Sequence, residues 1–359
     1  MNESSAAASS EHVTTAFSRR AFFGKSARLA GTVAAASLIP DGLFSRATSA
    51  AAGLDKIDIQ LNYIENIQFA GDMVALAEGY YAKEGFSVTL QPGGPDIAPE
   101  PVVASSKALV GITHTTEACQ AIVNGAAITI IGAGYQKNPF CMISSANKPL
   151  KTPESLYGKK VGVSASNTAT WQAFVAGAKL DVSKIHVVPV TFDITPLAAG
   201  EIDALMGFYT NEPILLAARG FKPYVWLFAD FGYPLMEEVY IARNATLASA
   251  TGRAQLVRFM TAESRGWYRQ TQQPALGARL ATDVYGKNLH LVLSEQIKAA
   301  EAQNALVVSP DTKKHGLFWM TPELVQKTVH STKLGGVAAR SSMFTNEVLA
   351  HVYAKGPIV

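Results

Sequence analysis

Cysteine is nearly absent from these 359 residues: Cys119 and Cys141 stand alone. That excludes a disulfide framework and a cysteine-based metal site. One bridge between them stays open in an oxidising compartment, but two buried thiols are the expectation for a chain folded in a reducing cytoplasm. Arginine is scarce where a ligand would sit. Between Leu54 and Pro234 there is only Arg219, so a guanidinium fork on a sulfonate or nitrate is not expected. No apolar run approaches the roughly 20 residues of a transmembrane helix. The candidate Ala27–Ile39, "ARLAGTVAAASLI", is short and rich in Ala, Gly, Ser and Thr. Also missing are a Gly-x-Ser-x-Gly elbow, a phosphate-cradling glycine loop and metal-ligand spacing among the seven histidines, so neither a catalytic centre nor a metal or other cofactor is indicated.

What the sequence does have begins with its leader. A polar stretch, the pair Arg19 and Arg20, a modest apolar region, Pro40 and the small residues 47–53, "ATSAAAG", follow the order of an export signal. The Ser-Arg-Arg-x-Phe-Phe-x-Lys arrangement resembles the twin-arginine signal, which implies the twin-arginine export machinery as a partner and an exported, processed protein. The leader holds five of the 31 Lys+Arg and three of the 28 Asp+Glu, leaving 26 against 25. With no basic stripe in that remainder, nucleic acid is not an expected partner.

From Leu54 the pattern alternates strand and helix. "KIDIQLNY" (56–63) alternates like a strand, "GDMVALAEGYYAKEG" (71–85) has helical spacing, and "FSVTLQPGG" (86–94) is a strand running into a turn. Strands at 108–113 and 127–135 follow, and after the polar stretch 147–160 the same grammar restarts, with a strand then turn over 160–169 and strands at 186–192 and before "FYTNEP". Past 243 the chain reads as largely helical. The expected class is α/β with two lobes, parallel-rich sheets flanked by helices and a ligand cleft between them.

Ligands in open α/β sheets bind beyond the carboxyl ends of strands. The stretches there are 63–69, 93–96, 113–117, 135–140, 164–171, 192–193 and 208–212. Aromatic residues crowd them: Tyr63, Phe69, Tyr135, Phe140, Trp171, Phe192, Phe208 and Tyr209. They favour a planar ring, with Glu65, Asn66, Asp193, Asn211 and Glu212 to bond its N–H and amino groups. Each ring taken singly is as well read as core. Thr113, His114 and Thr115, and Ser164, Ser166 and Asn167, open two predicted helices and leave helix-start anion sites available, with ordinary N-capping the plainer reading.

The stretches "GDMVALAEGYYAKEGFSVTLQPGG", "VVASSKALVGIT", "GKKVGVSASNTA" and "GEIDALMGFYTNEP" together resemble the SsuA-like substrate-binding proteins of ABC importers, a group that includes binders of thiamine-pyrimidine precursors. The resemblance covers most of 54–320. It implies a type II-like periplasmic binding protein, expected as a monomer, that closes on one small-molecule ligand and passes it to an ABC permease in the membrane. By similarity Tyr209, Asn211 and Glu212 face the cleft. Of the Trp-x-Pro-Asn-x-x-His-x-Gly stretch of pyrimidine binders, only Asn66 and Gly71 match here; Tyr63, Glu65 and Phe69 stand at the places of its Trp, Pro and His. The implied organisation is a leader at 1–52, lobe 1 at 53–143, lobe 2 at 144–235, and a return to lobe 1 with C-terminal helices at 236–359, hinged near 141–146 and 234–240. The ligand expected is a nitrogen heterocycle, a pyrimidine precursor or a riboflavin-like compound. The alternatives are an alkanesulfonate, taurine or nitrate binder, and a pyrimidine-synthase-like enzyme on the same fold.

Overall fold

The structure, a computed structural model, describes residues 53–94, 97–191 and 193–358. The leader with Arg19 and Arg20 lies outside the described residues, as do Phe192 and the side chain of Ser166.

Among the described residues ten strands form two five-stranded sheets. They are β1 (Asp55–Gln60), β2 (Phe86–Gln91), β3 (Val110–Thr113), β4 (Ile128–Tyr135), β5 (Phe140–Ser145), β6 (Lys160–Ser164), β7 (His186–Val190), β8 (Ala204–Phe208), β9 (Pro223–Leu227) and β10 (Glu237–Arg243). The first sheet runs β2-β1-β3-β10-β4 and the second β7-β6-β8-β5-β9. β1, β2 and β3 are parallel, as are β6, β7 and β8, whereas β10 and β5 run antiparallel to their neighbours.

Alternation places the strands. In β1, Ile57 and Ile59 turn into a core shared with Met73, Val74, Tyr81 and Phe259, while Lys56 is exposed. The long helix Ala250–Gln272, started by a Ser249 cap that accepts the Gly252 N–H at 2.9 Å, lays its apolar face on the same core. The second lobe is built on rings: Phe174 stacks on Phe228 with centroids 3.9 Å apart, and Trp226 lies against both.

The chain crosses between the sheets twice, at 136–139 and at 228–236. β5 therefore lies wholly in the second sheet, and the first crossing precedes the stretch 141–146 expected to hold it. Asn138, fully buried, ties the two crossings together: its Nδ2 donates to the Tyr233 carbonyl at 3.3 Å and its Oδ1 accepts from the Phe140 N–H at 2.9 Å. The lobes also meet through side chains. Ile214 of the second lobe packs with Ile67, Ala70 and Ala299, and the helix Pro322–Leu334 lies against the helix Thr168–Gly177.

Deep in the first lobe, Asp72 and Glu263 are both fully buried, and Tyr81 donates its hydroxyl to Glu263. Burial pushes Asp72 up to about 7 and Glu263 well above the usual carboxylate range, with each other's charge adding to the rise of Glu263. The folded protein therefore holds protons that the unfolded chain releases near pH 4, so Asp72 favours the fold at low pH and loses that effect as pH rises from about 4 to about 7, with Glu263 acting in the same direction. Asp72→Asn is expected to flatten the fall in melting temperature between pH 5 and pH 8. An unchanged pH dependence in a melting series of the two proteins would refute this.

Candidate functional site

A cavity of about 420 Å³ lies between the two sheets, within the range of roughly 300–1,000 Å³ common for small-molecule sites. The first lobe contributes Asn62, Tyr63, Asn66, Ile67 and Gln68 from the loop after β1, then Glu100, and Thr113, His114 and Glu117 where β3 passes into the helix Thr115–Val123. The second lobe contributes Phe140, Asn167, Phe208, Thr210, Asn211 and Glu212, and the helix Leu293–Val307 adds Gln296.

Rings form one wall. Phe140 and Phe208 meet edge to face at 5.2 Å and 87°, and His114 lies 5.9 Å from the first and 6.3 Å from the second. Behind His114 stand two buried acids. Its Nδ1 is 3.5 Å from Glu237 Oε2 and 3.8 Å from Glu238 Oε1. Burial alone would lower the imidazolium, but Glu237, with Glu117 and Glu238, overrides it and holds His114 up at about 10, hence charged at neutral pH. Burial likewise pushes Glu238 up to about 7, against the pull of His114.

Glu238 has a left-handed backbone, φ 53°, inside β10, a conformation a glutamate adopts only when its surroundings hold it. They do. Asn62 Nδ2 donates to both its oxygens at 3.3 and 3.4 Å, and Gln68 Nε2 donates to Oε1 at 2.9 Å and to Asn62 Oδ1 at 3.2 Å. These bonds turn the amide donors of both residues away towards the acid.

Glu237 Oε2 accepts the backbone N–H groups of Thr115 at 3.1 Å and Glu238 at 3.2 Å. The start of the helix Thr115–Val123, read from sequence as an open anion site, is thus already occupied by a carboxylate of the same chain. Glu212, the first residue of its own helix, is also committed: Oε2 accepts the Phe208 N–H at the end of β8 at 2.7 Å and Oε1 the Asn211 amide at 3.3 Å. Burial raises the Glu212 carboxyl and these bonds oppose the rise.

Of the residues singled out in the sequence, Tyr63, Asn66, Thr113, His114, Phe140, Asn167, Phe208, Asn211 and Glu212 line the cavity. The others among the described residues do not. Phe69, Tyr135 and Trp171 are buried in lobe cores because large rings there gain more from packing than from a cleft. Thr115 turns inward, its hydroxyl donating to the Met236 carbonyl. Ser164 is the buried last residue of β6, and Tyr209 packs with the cluster around Cys141 and Leu205. Asp193 is exposed and caps Thr195, accepting its N–H at 2.9 Å. Glu65 stands beside Tyr285, outside the cavity wall. Asn62, Glu100, Gln296, Glu237 and Glu238 escaped the sequence reading. Glu237 and Glu238 begin an antiparallel strand, so they reach the carboxyl-end edge of the sheet from the opposite direction; "EE" before the apolar run 239–242 is the signal available for them. Both cysteines are free and buried, and burial pushes the Cys119 thiol up to about 12.

A riboflavin-binding protein, RibY, of Chloroflexus aurantiacus is 27% identical over 221 residues, 58% of this chain and 63% of that protein; the chain thus matches less than two thirds of that relative's length. A formylaminopyrimidine-binding protein of Halalkalibacterium halodurans is 21% identical over 225 residues, 62% of this chain and 68% of the relative. Among solved structures, the periplasmic sulfonate-binding protein SsuA of Methylobacillus flagellatus superposes with a TM-score of 0.60 at 16% identity, over 84% of this chain and 95% of that one. The desulfurization enzyme DszB does so with a TM-score of 0.55 at 15% identity, over 84% and 99%. The architecture is therefore that of the periplasmic binding proteins, a fold that carries an enzyme as well as binders. The family described as NMT1/THI5 like matches residues 66–276, more than half of the sequence, and this chain belongs to it.

Proposed function

We propose that this protein is the extracytoplasmic substrate-binding component of an ABC importer, and that it captures a nitrogen heterocycle. The observation that carries this reading is the composition of the cavity wall, where aromatic rings stand beside side chains that accept hydrogen bonds and the helix start best placed for an anion is filled by Glu237. A planar ring bearing N–H or amino groups uses both features: stacking or edge contact contributes roughly 0.5–1.5 kcal/mol per ring pair, and the acceptors take its donors. The names of two relatives, which bind riboflavin and formylaminopyrimidine, agree with this chemistry. A sulfonate, taurine or nitrate would meet carboxylates instead of the free N–H groups or arginine such anions need.

Binding is taken to bridge the lobes and favour the closed state by its differential affinity, with the paired crossings at 136–139 and 228–236 as the hinge. Lobe boundaries fall at those crossings. Export through the twin-arginine route, a monomeric state and delivery to a membrane permease complete the proposal; among the described residues no helix is long and apolar enough to cross a membrane. A binder is preferred to an enzyme because Cys119 and Cys141 are buried, protonated thiols unfit as nucleophiles.

A thermal-shift screen against formylaminopyrimidine, hydroxymethylpyrimidine, riboflavin, taurine, an alkanesulfonate and nitrate tests this. A heterocycle at a hundred times its dissociation constant is expected to add about 2.7 kcal/mol of stability, while the anions add nothing. Stabilisation by the anions alone would overturn the reading.

A further inference from the structure

If the site takes a nitrogen heterocycle, as proposed above, the cavity wall also specifies the charge of that ligand. Among the described residues three carboxylates, Glu100, Glu117 and Glu212, line the cavity, and no lysine or arginine does. The basic group in that lining, His114, is already matched from behind by Glu237 and Glu238. Two of the lining acids are committed within the protein. Glu100 accepts the Thr113 hydroxyl, and Glu212 accepts the Phe208 N–H and the Asn211 amide.

Glu117 is different. Its Oε2 is buried and has no hydrogen-bond partner, a costly state for a carboxylate oxygen unless something else supplies the missing donor. Burial pushes its carboxyl up, the response of an acid in a low-dielectric wall where the pull of His114 does not suffice. Nor can Asn62 and Gln68 supply a donor, since Glu238 and the bond between them already take their Nδ2 and Nε2 groups.

We propose that the ligand is a cation, a nitrogen heterocycle carrying a protonated amine or a charged ring nitrogen, and that Glu117 is its counter-ion and the residue that selects for the charge. A cation here also gains from the faces of Phe140 and Phe208. A neutral ligand offers Glu117 a hydrogen bond but no counter-charge, and an anion adds a like charge to three acids.

Calorimetry at pH 7 with three probes on one 4-amino-2-methylpyrimidine ring separates the possibilities. At C5 they carry an aminomethyl group (cationic), a hydroxymethyl group (neutral) or a carboxylate (anionic), and riboflavin serves as a fourth, neutral probe. The aminomethyl compound is expected to bind at least about tenfold more tightly than the hydroxymethyl compound, as a charge-assisted hydrogen bond in a buried site allows, and the carboxylate most weakly. Glu117→Gln is expected to erase the preference for the cation. Equal or tighter binding of the hydroxymethyl compound, or of riboflavin alone, would overturn the charge inference and leave the heterocycle reading standing. A preference that survives in Glu117→Gln would overturn the assignment to Glu117, and failure of all four probes would sink both readings. The wild-type ranking decides the matter of charge even if the variant does not fold.

Discussion

Replacing His114 with leucine is expected to lower stability at pH 7 by about 3 kcal/mol, the lower end of what breaking a buried ion pair costs, since the imidazole is 30% exposed. The loss comes less from the contact itself than from what it leaves behind. Glu237 and Glu238 are 1% and 5% exposed at their side chains, and without the imidazolium two adjacent acids remain buried with no other cation paired to them among the described residues. The sign of the pH dependence follows from the direction of the shift. His114 is held up at about 10 against 6.5 when unperturbed, so its contribution is complete below about pH 6.5 and disappears as pH rises through about 10. Denaturant unfolding of both proteins at several values between these limits is expected to show the stability gap narrowing with pH. A gap that stays constant would mean that leucine costs stability through packing against Phe140 and Phe208, and that the ion pair contributes nothing.

Gly71→Ala is expected to cost about 3 kcal/mol or more and to weaken ligand binding as well. A Cβ at Gly71 would lie 2.1–2.3 Å from Cγ, Cδ2 and Cδ1 of Trp267, and one at Gly266 would lie 2.3 Å from the Gly71 carbonyl oxygen. These two glycines let the helices Ala70–Ala77 and Ala250–Gln272 cross at backbone contact. The ring cannot give way. Trp267 is buried, its Nε1 donates to the Tyr240 hydroxyl at 3.0 Å, and Phe318 blocks it edge-on at 6.5 Å. The helices must therefore part, and overpacking of this kind costs about 1–3 kcal/mol, occasionally more. The movement reaches the cavity because Asn66, Ile67 and Gln68 stand immediately before the first of these helices. Melting and calorimetry with the ligand found in the screen check both parts. A melting temperature within about 2 °C of wild type would refute the steric argument. Trp267→Leu in the same chain is expected to recover part of the loss.

Much of the architecture was readable from periodicity. The alternation of Ile57 and Ile59, the helical spacing after Gly71 and the restart of strand and helix after 160 are local patterns that each depend on a few neighbouring residues. The strand-end rule then led to Tyr63, Asn66, Thr113, Asn167, Asn211 and Glu212 as cavity wall, all near the carboxyl ends of parallel strands. The rule fails at antiparallel strands. β10 presents its first residues to the same edge, which is how Glu237 and Glu238 come to stand behind His114. It also cannot separate rings facing the cleft from those a few residues away in the core, so Phe69 and Trp171 looked like Phe140 and Phe208 until packing distinguished them.

By itself the sequence determined the α/β class, the two-lobed repeat and the scarcity of cysteine and, between Leu54 and Pro234, of arginine, because composition and hydrophobic period are properties of short segments. The tertiary structure alone decided the character of the site. His114 and Glu237 lie 123 residues apart in the chain, and only the antiparallel return of β10 beside β3 brings that carboxylate onto the imidazole and the helix start. Which groups are paired, and which acid is left to meet a ligand, depends on desolvation and contact across the fold, and neither is encoded in any local stretch.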